Sequence, residues 1–131
     1  MMISCFFICV FAVLINKVFL QDTVDVEAVI GGSVLLPCSS TQHDHKLQDI
    51  NVFWRHNGSS KSVCDITEGS HSQEKQDPEY KNRTETFPEE YKRGNFSIKL
   101  TDLTRTDAGK YICYITYSYE LQTVRLIIMG V

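Results

Sequence analysis

Two cysteines and a tryptophan constrain this chain more than any other feature. Trp54 follows Cys38 by 16 positions, and Cys113 follows it by 75. Cys38 and Cys113 fall on the apolar side of alternating stretches. Val34, Leu36 and Cys38 alternate with Ser33, Leu35 and Pro37, and Tyr111, Cys113 and Ile115 alternate with Ile112, Tyr114 and Thr116. Trp54 lies in an aromatic strand over residues 51–56. A period of two is the mark of a half-buried strand. Phe96, Ile98 and Leu100 repeat it against Ser97 and Lys99, and Val124, Leu126 and Ile128 form a last strand. Residues 61–66 and 84–87 are shorter strand candidates. Gly31-Gly32 and Asn57-Gly58 are turn signals. Residues 39–49 read as a loop, and residues 67–82 are polar with no core pattern. Many short strands between frequent turns predict an all-β sandwich or barrel.

The first twenty residues differ in kind. Ile3 to Ile15 are apolar except for Ser4, and Asn16-Lys17 end the run. Such a run is too short to span a bilayer, which needs about 20 residues. At an N-terminus it fits the apolar region of a secretory signal peptide. Residues 1–20 are therefore expected to be a cleaved leader, with the cut between 19 and 22, and residues 21–131 a single domain. Export implies an oxidising compartment. Cys5 and Cys9 leave with the leader, so Cys38, Cys64 and Cys113 remain and one is unmatched. The expected location is extracellular: secreted, or on the outer face of the plasma membrane if the chain is a fragment of an anchored protein. Lys+Arg 13 against Asp+Glu 16 leaves a charge of −3, which argues against nucleic acid as a partner.

A second motif surrounds the last cysteine: Asp107-Ala108-Gly109-Lys110-Tyr111-Ile112-Cys113. Tyr111 stands two residues before Cys113, where a tyrosine corner would place it. With Cys38, Trp54, Asp107, Gly109, Tyr111 and Cys113 together, residues 24–129 resemble a V-set immunoglobulin domain. The resemblance implies an antiparallel two-sheet V-type sandwich. It also implies a Cys38–Cys113 disulfide with Trp54 and Tyr111 buried beside it. Closing so long a loop is worth about 4–5 kcal/mol in the chain-entropy model. A partly buried Asp107 needs a partner. Arg83 is the candidate, since the matching Arg and Asp pair in such domains. The segment Tyr80-Lys81-Asn82-Arg83-Thr84-Glu85, with Asn95-Phe96-Ser97-Ile98-Lys99-Leu100-Thr101-Asp102-Leu103 after it, is similar to the butyrophilin and T-cell costimulatory-ligand family. That family's role in immune recognition becomes the expectation here. Its members usually carry a second domain and a membrane helix. The last strand lacks the Phe-Gly-x-Gly bulge of antigen receptors, which sets the chain apart from them.

Surface residues refine the expectation. Phe53 and Arg55, neighbours of Trp54, and Tyr114 and Thr116, on the parity opposite Cys113, should face outward from one sheet. Tyr117 and Tyr119 follow in the next hairpin. Tyrosines on a flat face give large contact area at low entropic cost. These six residues are the predicted partner-binding set. Three sequons occur, at Asn57, Asn82 and Asn95, with Asn95 expected to point to solvent. Cys64 reads as an intermolecular disulfide forming a homodimer, a bond to a cysteine beyond the chain given, or a free buried thiol. His43 and His45 flank Asp44, but the zinc spacings with paired cysteines are absent, and no nucleophile motif occurs. No metal, cofactor or small-molecule substrate is expected, and no enzyme activity. The expected function is extracellular recognition of a cell-surface protein receptor in the control of T-cell or other immune-cell activation. The alternative is a homophilic adhesion module or a secreted decoy.

Overall fold

The computed structural model describes residues 23–58 and 61–130. The leader assigned to residues 1–20 lies outside them. In chain order the strands are β1 (Thr23–Val29), β2 (Val34–Leu36), β3 (Val52–His56), β4 (Ser62–Thr67), β5 (Ser70–Ser72), β6 (Thr84–Glu85), β7 (Ile98–Leu100), β8 (Gly109–Ile115) and β9 (Glu120–Met129). They form two sheets. The larger has the order β1-β9-β8-β3-β4-β5, and the smaller has the order β2-β7-β6. Strand β1 runs parallel to β9, and every other pairing is antiparallel. This is a two-sheet sandwich.

The alternating residues close the core from both sides. Leu36, Ile98 and Leu100 of the small sheet face Val52, Trp54, Tyr111, Cys113 and Ile115 of the large one, all fully buried. Each buried aliphatic side chain contributes roughly 1.5–3 kcal/mol. Cys38 and Cys113 are bonded across this core, with Cα atoms 6.4 Å apart. Trp54 stands in register with Cys113 on one side and Cys64 on the other. Its Nε1–H donates to the Phe96 carbonyl at 3.1 Å, so the only polar atom of the buried indole is satisfied. The β3–β4 connection begins with Asn57 (φ 51°) and Gly58 (φ 68°), two left-handed residues in succession, a conformation that Asn and Gly adopt most readily.

Two sequence expectations change, and one strand is added. Residues 67–82 do contribute to the core, because Tyr80 is 1% exposed and β5 lies within the stretch. After β5 the chain runs back along β4. Asp77 N–H donates to Ser62 O at 2.9 Å, and the Gln76 amide donates to Val63 O at 3.0 Å. This return buries Ser62 to Ile66 without alternation. The strand expected at 84–87 stops at Glu85, since Pro88 opens a short 3₁₀ run to Arg93 that inserts Tyr91 into the core. Strand β1, for which no expectation was formed, alternates Val24, Val26 and Ala28 with Asp25 and Glu27: it is the edge of the large sheet, held by its parallel ladder to β9, with Val26 and Ala28 packed against the core.

Candidate functional site

The outward face of the large sheet is built by register. Residues directly opposite one another on neighbouring strands share a face. Asp65, Phe53, Tyr114 and Leu121 stand side by side across β4, β3, β8 and β9. The next row is Arg55, Ile112, Thr123 and Thr23. The row after that, Lys110, Arg125 and Asp25, is charged. The Arg125 guanidinium meets the Asp25 carboxylate at 2.7 Å. The face is therefore an aromatic and aliphatic centre bordered by charge. That composition, apolar and aromatic at the middle and polar at the rim, is the composition of a protein-contact surface.

Arg55 organises the centre. Its Nη1 donates to Asp65 Oδ1 at 2.7 Å and to Trp54 O at 2.9 Å. Its guanidinium carbon lies 5.5 Å from the Phe53 ring centroid, within cation–π range. Asp65 is 5% exposed, so the ion pair is what allows a carboxylate there. Phe53 is half-buried under this arrangement, while Tyr114 and Leu121 are each 37% exposed.

The six residues predicted as a contact set do not stay together. Phe53, Arg55 and Tyr114 share the face. Tyr119 stands at the tip of the β8–β9 hairpin, 84% exposed and held at φ 55°, an uncommon conformation for a bulky residue. Thr116 is half-buried, and both its N–H and its hydroxyl donate to the Asn51 carbonyl. Tyr117 turns away from the face and toward the core. Its ring lies 3.9 Å from His45 and edge-on to Phe96, and its hydroxyl donates to Gln42 O at 3.0 Å. Parity fails at a hairpin tip, where the chain is no longer a strand. Ile112, Leu121 and Asp65 join the face without having been predicted. Ile112 shares the parity of Tyr114, so alternation in β8 already carried that signal. Asp65 had none, because its role depends on Arg55 of the neighbouring strand β3, which only the assembled sheet brings to it.

The remaining predicted residues are placed as follows. Arg83 and Asp107 form an ion pair. Tyr111 donates its hydroxyl to Asp107 O at 2.5 Å, the corner bond that ties β8 to the preceding turn. Cys64 is fully buried and free. That placement is the one the buried free thiol calls for. Asn57 and Asn82 are exposed, whereas Asn95, expected to face solvent, is half-buried. It is drawn in by Ser97 and Glu90, which hold its carboxamide.

Comparison with known proteins gives a consistent neighbourhood. The immunoglobulin V-set domain model matches residues 21–128. The human protein V-set domain-containing T-cell activation inhibitor 1 is 36% identical over 89 residues, which is 68% of this chain and 31% of that protein. This chain thus spans under a third of that relative. The crystal structure of the human B7-H4 IgV-like domain matches with a TM-score of 0.75 at 31% identity, covering 86% of this chain and 97% of that one. A chain in the crystal structure of ICOS in complex with ICOS-L and an anti ICOS-L VNAR domain matches with a TM-score of 0.70 at 25% identity, over 84% of this chain and 55% of that one.

Proposed function

The chain belongs to the immunoglobulin V-set family, and from that premise we propose that it is an extracellular domain that docks a cell-surface protein receptor and thereby modulates T-cell or other immune-cell activation. It is a recognition domain and not an enzyme. Residues 1–20 serve as its export signal in this reading. The observation that carries the proposal is the row Asp65–Phe53–Tyr114–Leu121 with Arg55 and Ile112 beside it. It is an apolar, aromatic centre bordered by charge, supported from below by a disulfide-bonded core. Relatives named for T-cell activation inhibition and for ICOS binding support the immune setting.

Docking buries Tyr114 and Leu121 and leaves Arg55 where it is, because its Nη1 is already engaged by Asp65 and the Trp54 carbonyl. Arg55 is thus a positioning residue that fixes the Phe53 ring. The test is staining of resting and activated T cells with the multimerised domain. Wild-type protein should stain a subset of cells, and Tyr114→Asp, which puts a charge in the middle of the face, should abolish the staining. Equal staining by the two proteins would refute this docking face.

A further inference from the structure

The three sequons occupy three different settings. The Asn57 carboxamide lies across β8: its Oδ1 accepts Lys110 N–H at 3.0 Å, and a Cβ on Gly109 would meet Oδ1 at 2.4 Å and Nδ2 at 2.9 Å. The Asn95 carboxamide is tied at both ends. Its Oδ1 accepts from Ser97 N–H at 3.1 Å and from the Ser97 hydroxyl at 2.7 Å, and its Nδ2 donates to Glu90 at 3.3 Å. Ser97, the third residue of that sequon, is buried, and its Oγ accepts from Cys38 N–H at 3.2 Å.

Asn82 differs from both. It is exposed in the turn that leads into β6, at φ 65°, and its side chain makes no hydrogen bond to the described residues. The turn itself is fixed on both sides. Before it, Tyr80 is buried with its hydroxyl on His56 Nδ1 at 2.7 Å. After it, Arg83 donates to Glu79 O at 2.8 Å and Thr101 O at 3.0 Å and pairs with Asp107. A rigid turn therefore presents a free carboxamide to solvent.

We propose that Asn82 carries the N-linked oligosaccharide of the folded domain, in preference to Asn57 and Asn95. The inference rests on export through the secretory route. In the transfer, Asn82 Nδ2 attacks C1 of the reducing-end sugar of a lipid-pyrophosphate oligosaccharide. A C–N bond forms as the C–O bond to pyrophosphate breaks, the amide gives up one of its two protons to a base of the oligosaccharide transferase, and the lipid pyrophosphate leaves. Transfer competes with folding, so a carboxamide that the fold engages loses its access, and a sugar already attached there must be accommodated as the chain folds. A sugar on Asn95 must be seated in the Glu90–Ser97 cluster, and one on Asn57 against the β8 backbone, whereas one on Asn82 displaces nothing. Its location also has a consequence. Strand β6 is an edge of the small sheet, and a bulky glycan beside an open edge blocks strand addition there. The Phe53–Tyr114–Leu121 face contains no sequon asparagine and stays bare.

The test is expression of the full chain in a eukaryotic secretory host. Glycans are released enzymatically in heavy-oxygen water, which converts each occupied asparagine to a heavy aspartate, and the peptides are weighed. Asn82 should be marked in most copies, and Asn57 and Asn95 in a minor fraction. An unmarked Asn82, whether the protein is secreted or retained, overturns the proposal, as does an Asn82 marked no more than Asn57 or Asn95. Asn82→Gln should lose most of the carbohydrate mass while melting at the wild-type temperature. Unchanged carbohydrate mass in that variant also overturns it.

Discussion

Arg83 and Asp107 form an ion pair that closes one end of the sandwich. The Asp107 side chain is 2% exposed and that of Arg83 is 16% exposed. The same carboxylate accepts Thr104 N–H at 2.8 Å, and the Asp107 carbonyl accepts the Tyr111 hydroxyl. One residue thus joins the β6 side of the small sheet, the turn before β8, and the tyrosine corner. Asp107→Ala removes the charge and leaves the guanidinium without its counter-ion. Removing one partner of a buried pair costs about 3–5 kcal/mol. Denaturant unfolding should show a loss of that order. A loss below about 0.5 kcal/mol, as for an exposed pair, would contradict a structural role.

Cys64 should be chemically silent in the folded protein. Burial pushes its thiol up to about 12, and the neighbouring Asp65 charge pushes in the same direction. The thiolate is the reactive form, so it is scarce at neutral pH as well as inaccessible. A thiol reagent at pH 8 should label denatured protein stoichiometrically and leave native protein unlabelled. Electrophoresis without reductant should show a monomer. Rapid labelling of the native protein, or a reducible dimer, would contradict the buried placement.

Glu120 clasps the β8–β9 hairpin to the loop after β2. It accepts from the Ser40 hydroxyl at 2.5 Å and from Thr41 N–H at 3.3 Å. Partial burial disfavours its charge, but the hydroxyls of Ser40 and Thr41 and the Thr41 N–H outweigh it and hold the carboxyl below its ordinary 4.5. A depressed folded value contributes stability that is fully present above pH 4.5 and fades as pH falls through the folded value. Thermal melts between pH 6 and pH 3 should therefore fall less steeply for Glu120→Gln than for wild type. Identical slopes would show that the clasp does not depend on the charge.

The architecture was legible wherever alternation ran undisturbed. The parity of Val34, Leu36 and Cys38, and of Tyr111, Cys113 and Ile115, placed each inward residue on the side it occupies. Phe53 and Tyr114 followed by the same rule. Parity is blind where a single aromatic stands among charges. Tyr80 and Tyr91 have no periodic neighbours, yet each is buried by a short 3₁₀ run. It is equally blind at turns, which is why Tyr117 was assigned to the surface and packs against Phe96 and His45. Asp65 and Leu121 belong to the face through cross-strand register, and register is a property of the assembled sheet rather than of any one segment.

The central claim is that the outer face of the large sheet makes the contact with a receptor. The most direct measurement compares the affinity of wild type, Phe53→Ala, Tyr114→Ala and Lys99→Ala for a T-cell surface receptor identified by staining. Lys99 is exposed on β7, in the opposite sheet. Truncating a central aromatic anchor costs about 2 kcal/mol, or roughly a 30-fold rise in Kd. Tyr114→Ala and Phe53→Ala should each show a loss of that order at nearly unchanged melting temperature, with Lys99→Ala binding as wild type does. Full affinity in both aromatic variants together with a loss in Lys99→Ala would place the contact on the other sheet and contradict the account.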